Sequence, residues 1–297
     1  MRATRARVPV LLMLVPRAVA AWWNDDILRL GASVAYYTLF AIAPILLIAI
    51  ALAGAVFGDE AVRGEIVGQI DGLVGRDGGA AVQALVEGAR RRDTGALAAT
   101  MGALTSLLAA CAVFLELQAA LNAVWRVRPA PPASLVRSFV ISRAQSFGVV
   151  LAIGFLLLVS LASSAALAGL GAWLSARVPG AETAVLILDW TLSLAVTAGL
   201  FTLLFKVLPD VELAWSDVAI GGVVTAMLFT LGKYGIGAYL GSSSTASSYG
   251  AIGSVLVLLL WVYYSAQILL IGAEFTRLYT ERTTGHRPAP TPLARPS

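Results

Sequence analysis

Long apolar segments separated by short polar ones dominate the pattern of the chain. Six of these segments stand out, at residues 32–57, 95–121, 145–173, 184–207, 218–240 and 250–273. A helix needs about 20 residues to cross the hydrocarbon core of a bilayer, and each segment is long enough. The pattern therefore predicts an all-α fold, a polytopic bundle of six transmembrane helices.

The loop at residues 58–94 is the longest polar segment between the predicted spans. Two of its stretches repeat apolar residues at helical spacing, which places them on one face of a helix. These residues are Val62, Ile66, Ile70 and Leu73 in the first stretch and Val82, Leu85, Val86 and Ala89 in the second. We expect two short amphipathic helices on the outer surface.

The two ends of the chain differ from the transmembrane domain, which we place at residues 31–280. Residues 1–30 combine a basic start with a short apolar run and the pair Trp22 and Trp23. Aromatic residues favour the depth of the lipid head groups, so we expect a cytoplasmic interfacial helix rather than a cleaved signal peptide. Residues 281–297 are Pro-rich and predict a disordered cytoplasmic tail.

The composition supports lipid as the main solvent of the chain. Of the 297 residues, 59% are apolar and 13% are charged, whereas a soluble domain carries about 25% charged residues. Arginine supplies 19 of the 21 basic residues and flanks the apolar spans. This arrangement favours anionic lipid head groups as partners and argues against nucleic acid. The sequence leaves open whether the protein forms a homo-oligomer.

The basic residues also predict an orientation. If the N-terminus is inside, the inner segments hold 14 Arg and Lys residues and the outer segments hold 6. Because positive charge is retained on the cytoplasmic side, both termini are expected there.

Ionisable residues at membrane depth are costly and are candidates for a functional site. Asp189 and Lys233 lie about 8 Å and about 10 Å from the outer ends of their spans, at 1.5 Å per residue. We expect them to pair or to line one polar cavity. A structural ion pair that fixes the helix register is the alternative.

Glu116 is a third such residue, in the inner half of the second span. Gln118 and Asn122 follow it and share one helical face, since they are four residues apart. We expect Glu116 to face a cytoplasmic-side cavity with Gln145 and Gln267. A bond to a neighbouring serine is the alternative.

Glu274 is the fourth ionisable residue at membrane depth. It follows a run of 40 residues, Tyr234–Ala273, without Asp, Glu, Lys, Arg or His. It lies at the predicted cytoplasmic end of the sixth span. Arg277 is an i,i+3 neighbour on the same face. We expect Glu274 to anchor the helix end through Arg277, Arg29 and Arg126, because a carboxylate at a helix C-terminus opposes the macrodipole. A gating role is the alternative.

The sequence contains no phosphate-binding GxxxxGK[ST] loop, no HExxH and no GxSxG. Its one cysteine, Cys111, and one histidine, His286, exclude an internal disulfide and a Cys/His metal cage. We therefore expect neither an enzyme nor a cofactor.

Several segments resemble the YihY/BrkB-type integral membrane family. They are GASVAYYTLFAIAPILL (31–47), LNAVW (121–125), VLPDVELAWSDVAIGG (207–222), GKYGIGAYL (232–240) and SSYGAIGSVLVLLLWVYYSAQILLIGAEF (247–275). The resemblance runs from about residue 20 to 280 in the same order and spacing. The signature residues carried over are Ala35, Tyr36, Pro44, Asn122, Trp125, Pro209, Gly221, Lys233, Tyr239, Tyr249, Gly250, Trp261, Gly272 and Glu274. Asp189 belongs to no motif of the family.

The resemblance implies a bacterial inner-membrane protein with six spans. Members of the family carry virulence-factor labels and an older ribonuclease label. The residues argue against a nuclease, because RNA cleavage needs acid–base groups or metal ligands in water. The carboxylates of this chain lie in or beside lipid, without a histidine partner.

Three functions follow as expectations. The first is a transporter-like protein that moves a lipid or amphipathic solute through a polar cavity, with Pro44 breaking the first span. The second is a non-transporting envelope or scaffold protein whose membrane charges are structural. The third is a membrane-bound enzyme.

Overall fold

The computed structural model describes residues 7–57, 78–87, 96–127, 181–242 and 251–285. The backbone of these residues forms seven helices. They are α1 (Arg7–Asn24), α2 (Ile27–Phe57), α3 (78–87), α4 (Ala96–Val124), α5 (Ala181–Val207), α6 (Trp215–Ser242) and α7 (Ala251–Thr284). The predicted all-α class is confirmed for this part of the chain.

Four helical stretches are long and apolar enough to cross a membrane. They are Ile27–Leu47, Thr183–Val207, Trp215–Ile236 and Val255–Thr284, which correspond to the first, fourth, fifth and sixth predicted spans. The apolar stretch in α4 is shorter, Cys111–Val124. The third predicted span, 145–173, lies outside the described residues. The chain is thus a multi-pass helical membrane protein, and the number of six spans stays a prediction.

Helix α7 continues well beyond residue 273, where the sixth span was predicted to end. It ends at Thr284, ten residues after Glu274. The expectation that Glu274 sits at the helix C-terminus is therefore wrong. The hydropathy falls at Glu274 because charged residues follow, but the helix continues since these residues pair along one face. Residues 281–284 of the predicted tail are helical, and residues 286–297 lie outside the described part.

The chain forms two compact units. The first consists of residues 1–18, 125–228 and 272–297, and the second of residues 19–124 and 229–271. Helices α1, α6 and α7 contribute residues to both units.

In the first unit, the start of α1 packs against α7 and α6. The buried contact residues are Leu14, Ala18, Phe275 and Tyr279, with Ile220, Val224 and Leu278 packed around them. Leu14 and Ala18 are one turn apart, so α1 buries one helical face. The first part of α1 is therefore packed into this unit, a contact that the prediction of an interfacial helix did not include.

In the second unit, α2, α3 and α7 share an apolar core. Its buried members are Ala35, Ala81, Val82, Val257, Leu258 and Val262. Helix α3 corresponds to the second predicted amphipathic helix, and it buries Ala81 and Val82 within this core. The first predicted amphipathic stretch, Val62–Leu73, lies outside the described residues. Helix α2 also packs along α4. It continues through the buried residue Pro44, so the expectation that Pro44 breaks the first span is wrong. The helix loses one backbone donor at the proline but keeps the hydrogen bonds on either side of it.

Candidate functional site

A buried ion pair on α7 lies in the first unit. Arg277 donates to Glu274 Oε2 from Nη2 at 2.5 Å and from Nε at 3.1 Å. Glu274 is 0% exposed and Arg277 is 3% exposed. The predicted contact between these i,i+3 neighbours is present, and the two opposite charges lie together away from solvent.

Arg277 has a second carboxylate partner. Its Nη1 donates to Glu281 Oε1 at 3.1 Å, and the Glu281 side chain is 26% exposed. The i,i+4 spacing is a signal for this contact, but Glu281 was predicted to lie in the disordered tail. The expected contacts of Glu274 with Arg29 and Arg126 stay predictions.

Helices α6 and α7 approach each other through a reciprocal arrangement of glycine and threonine. A Cβ atom added to Gly221 of α6 would collide with Thr276 of α7, and one added to Gly272 of α7 would collide with Thr225 of α6. Both threonines are 0% exposed. Small residues at such positions allow close helix contact in lipid. We call this contact the α6–α7 crossing.

The threonine hydroxyls in the α6–α7 crossing are satisfied within their own helices. Thr225 Oγ1 donates to the Gly221 carbonyl at 2.7 Å, and Thr276 Oγ1 donates to the Gly272 carbonyl at 2.6 Å. A buried hydroxyl without an acceptor would be costly, and these bonds remove that cost. Glu274 lies between Gly272 and Thr276 along α7, so the segment that forms the crossing also carries the buried ion pair.

Glu116 lies in the second unit, where it joins two helices. Ser33 Oγ of α2 donates to Glu116 Oε1 of α4. The side chain of Glu116 is half-buried. The structure thus shows the serine bond that was the alternative prediction. The expected cavity stays a prediction, since Gln145 lies outside the described residues.

The neighbours of Glu116 on α4 are also enclosed. Gln118 is half-buried and Asn122 is 5% exposed, one turn further along the helix. Both side chains have bonding partners in the structure.

Gln267 connects three helices of the second unit. Trp22 Nε1 of α1 donates to Gln267 Oε1 at 2.8 Å, and Gln267 Nε2 donates to the Leu28 carbonyl of α2 at 3.4 Å. A Cβ atom at Gly31 would collide with the Gln267 amide. This contact is not predictable from local spacing, because 245 residues separate Trp22 from Gln267.

Asp189 and Lys233 lie in different units. Asp189 is on α5 of the first unit and is exposed. Lys233 is on α6 in the second unit and is half-buried, with its Nζ 5.4 Å from the centroid of the Tyr234 ring. The predicted pairing of Asp189 with Lys233 stays a prediction.

The remaining signature residues differ in their surroundings. Pro44, Trp125 and Pro209 are buried, and Trp261 packs edge-on against Phe229 at 6.1 Å between ring centroids. Tyr36 is 58% exposed. Tyr249, Gly250 and the side chain of Tyr239 lie outside the described part.

An open cleft of about 640 Å³ is a further feature of the first unit. It is lined by Leu14, Pro16, Arg17, Leu278, Glu281 and Arg282. No local sequence pattern marks this cleft, because its residues come from α1 and the end of α7. Across the described ranges, no three His, Cys, Asp or Glu side chains are grouped as metal ligands.

Comparison with known proteins places the chain among membrane proteins. It is 29% identical to a UPF0761 membrane protein of Rhodospirillum centenum, over 96% of this chain and 61% of the relative. It is also 29% identical to a UPF0761 membrane protein of Ralstonia nicotianae, over 90% of this chain and 58% of the relative. A UPF0761 membrane protein of Vibrio vulnificus is 29% identical over 90% of this chain and 82% of its own length.

The chain thus spans about 60% of the length of the first two relatives. No solved structure matches it. The family described as Virulence factor BrkB matches residues 18–295, nearly the whole chain. With its multi-pass helices and this match, the chain belongs to the Virulence factor BrkB family.

Proposed function

We propose that the protein moves a lipid or amphipathic solute across the bacterial inner membrane, with Glu116 on the pathway. The observation that carries the proposal is the burial of this carboxylate together with its hydrogen-bond partner. Glu116 is half-buried on α4, the second predicted span, and the bond shown for it comes from the neutral hydroxyl of Ser33. On the predicted span this carboxylate would lie at membrane depth, where an ionisable group is costly and its presence favours a functional role.

Comparison with Glu274 strengthens this assignment. Glu274 is 0% exposed and its charge is balanced by Arg277 at 2.5 Å, as expected for a carboxylate that holds the structure together. Glu116 has a more open position and a partner without charge. A solute or a proton could therefore reach Glu116 without disrupting an ion pair.

The helix face next to Ser33 carries aromatic residues suited to an amphipathic solute. Tyr36, Tyr37 and Phe40 follow Ser33 at spacings of three, four and seven residues, which place them on one side of α2. They are 58%, 39% and 59% exposed. Such rings offer apolar contact along with two polar hydroxyls.

The proposal includes an orientation and a set of partners. Both termini lie in the cytoplasm, as the distribution of arginine favours. Membrane lipids are the partners, and nucleic acid is not. Lys233, also half-buried, is a second polar group for the pathway.

Lipid translocation in proteoliposomes tests the proposal. A fluorescent phospholipid is incorporated in both leaflets, and an external quencher reports the fraction that stays protected inside. Wild-type protein is expected to remove this protection, and Glu116→Gln is expected to restore it. Protection that equals that of protein-free liposomes, for a range of lipid head groups and with an imposed proton gradient, would contradict transport of lipid.

A second function, a non-transporting envelope or scaffold protein, is favoured by one observation. The Glu274–Arg277–Glu281 cluster places one guanidinium between two carboxylates of the same helix, an arrangement typical of structural charges. Catalysis, including RNA cleavage, forms no part of either proposal. Normal envelope integrity in a cell that carries only Glu116→Gln would favour the scaffold over the transporter.

A further inference from the structure

We propose that the open cleft in the first unit binds the head group of an anionic phospholipid. The cleft, of about 640 Å³, lies between α1 and the end of α7. This volume is within the usual range of about 300–1,000 Å³ for ligand sites. The proposal does not depend on transport, since a bound lipid can equally stabilise a scaffold.

The lining of the cleft has two chemical characters. Leu14, Pro16 and Leu278 supply apolar surface, while Arg17 and Arg282 supply positive charge. Both arginine side chains are exposed, and the ion pairs shown among the described residues include neither of them. A phospholipid presents the same combination, a phosphate beside acyl chains, and the planar guanidinium groups suit a phosphate.

Glu281 also lines the cleft, but its carboxylate pairs with an arginine that is not part of the lining. Its Oε1 accepts from Arg277 Nη1 at 3.1 Å. The charged side chains that line the cleft are therefore two cations and one carboxylate, and this carboxylate shares Arg277 with Glu274. The net positive charge favours an anionic head group over a zwitterionic one.

A favourable interaction with a helix C-terminus accounts for only one of the two arginines. Arg282 lies in the last turn of α7, where a cation interacts favourably with the helix C-terminus. Arg17 has no such explanation, because it lies in the middle of α1. The convergence of the two arginines on one apolar-walled cleft is what indicates a lipid phosphate.

Native mass spectrometry of the full chain in detergent tests this site. Phosphatidylglycerol and phosphatidylcholine are added separately, and the lipid-bound fraction is measured for wild type, Arg17→Gln, Arg282→Gln and the double variant. The matched control is Arg29→Gln, which removes the same charge from an exposed position on α2. Each cleft arginine is expected to contribute about fivefold to phosphatidylglycerol affinity, and both together about 25-fold.

The expected result is a preference of the wild type for phosphatidylglycerol that Arg29→Gln retains and the double variant loses. Equal binding of the two lipids by the wild type would overturn the proposal. So would a double variant that binds phosphatidylglycerol as well as Arg29→Gln does. If the double variant does not fold, the two single variants and the charge-retaining Arg17→Lys, which should keep most of the affinity, decide the question in the same way.

Discussion

Thr225 of α6 occupies the space that a side chain on Gly272 of α7 would need. The reverse holds one turn away, where Thr276 of α7 lies against Gly221 of α6. Each threonine bonds the carbonyl of the glycine in its own helix, so neither hydroxyl is left without an acceptor. The two helices thereby fit closely without introducing an unsatisfied polar group, and Glu274 lies on the segment that makes the contact.

Enlarging a glycine of the α6–α7 crossing should destabilise the protein. For Gly221→Ala or Gly272→Ala, the new Cβ would overlap the opposing threonine, and we expect a loss of about 1–3 kcal/mol. The apparent unfolding temperature in detergent, followed by size-exclusion chromatography of heated samples, measures this.

Two other glycines provide the control for this test. A Cβ added to Gly199 of α5 or Gly235 of α6 meets nothing within 4 Å. Their alanine variants should be unchanged or more stable by up to about 1 kcal/mol, because alanine is the better helix former. If Gly221→Ala were as stable as Gly199→Ala, the close α6–α7 crossing would be wrong.

Arg277 should matter more for stability than its partly exposed partner Glu281. Arg277→Met leaves Glu274 buried without its cation, and removal of one member of a buried pair costs about 3–5 kcal/mol. Glu281→Gln removes a partly exposed partner and should cost at most about 1 kcal/mol. Unfolding temperatures of the two variants in the same detergent give the comparison.

A double variant separates the ion pair from the packing around it. Glu274→Leu combined with Arg277→Met removes both charges and should recover much of the stability lost by Arg277→Met alone. Equal losses for Glu281→Gln and Arg277→Met would contradict the view that the buried Glu274–Arg277 pair is the important one. A double variant whose loss equals the sum of the losses of Glu274→Leu and Arg277→Met would contradict it as well.

Trp22 and its neighbour Trp23 should respond differently to the same substitution. Trp22→Phe removes the donor to Gln267 and leaves the amide oxygen of Gln267 without that bond, at a cost of about 1–2 kcal/mol. Trp23 is 68% exposed, so Trp23→Phe should stay within about 0.5 kcal/mol. Thermal unfolding followed by tryptophan fluorescence compares them, and equal effects would argue against the contact of α1 with Gln267.

The helices themselves were predictable from the sequence, because long apolar runs leave little choice of structure in lipid. The second predicted span, 95–121, and α4, Ala96–Val124, agree within a few residues. The end of α7 was missed by eleven residues, since 273 was predicted and Thr284 is observed. Hydropathy marks where apolar residues stop, whereas a helix can continue through charges that pair with each other.

The candidate site was only partly predictable. The Glu274–Arg277 contact follows from local spacing on one helix, and the sequence was sufficient for it. The contact of Gln267 with Trp22 and the roles of Gly221 and Gly272 depend on how distant helices pack. A periodic pattern shows that a residue lies on a given face of its helix, but not which neighbour that face meets.

The role of Glu116 is tested by comparing Glu116→Gln with Glu274→Gln in the same proteoliposomes. For each, the phospholipid translocation rate per folded protein and the unfolding temperature are determined on one preparation. We predict that Glu116→Gln lowers the rate at least about tenfold, or about 1.4 kcal/mol in the barrier, with little change in stability. Glu274→Gln should lower the unfolding temperature and leave the rate per folded protein close to that of the wild type. Equal rates for Glu116→Gln and the wild type would contradict the assignment of Glu116 to the pathway.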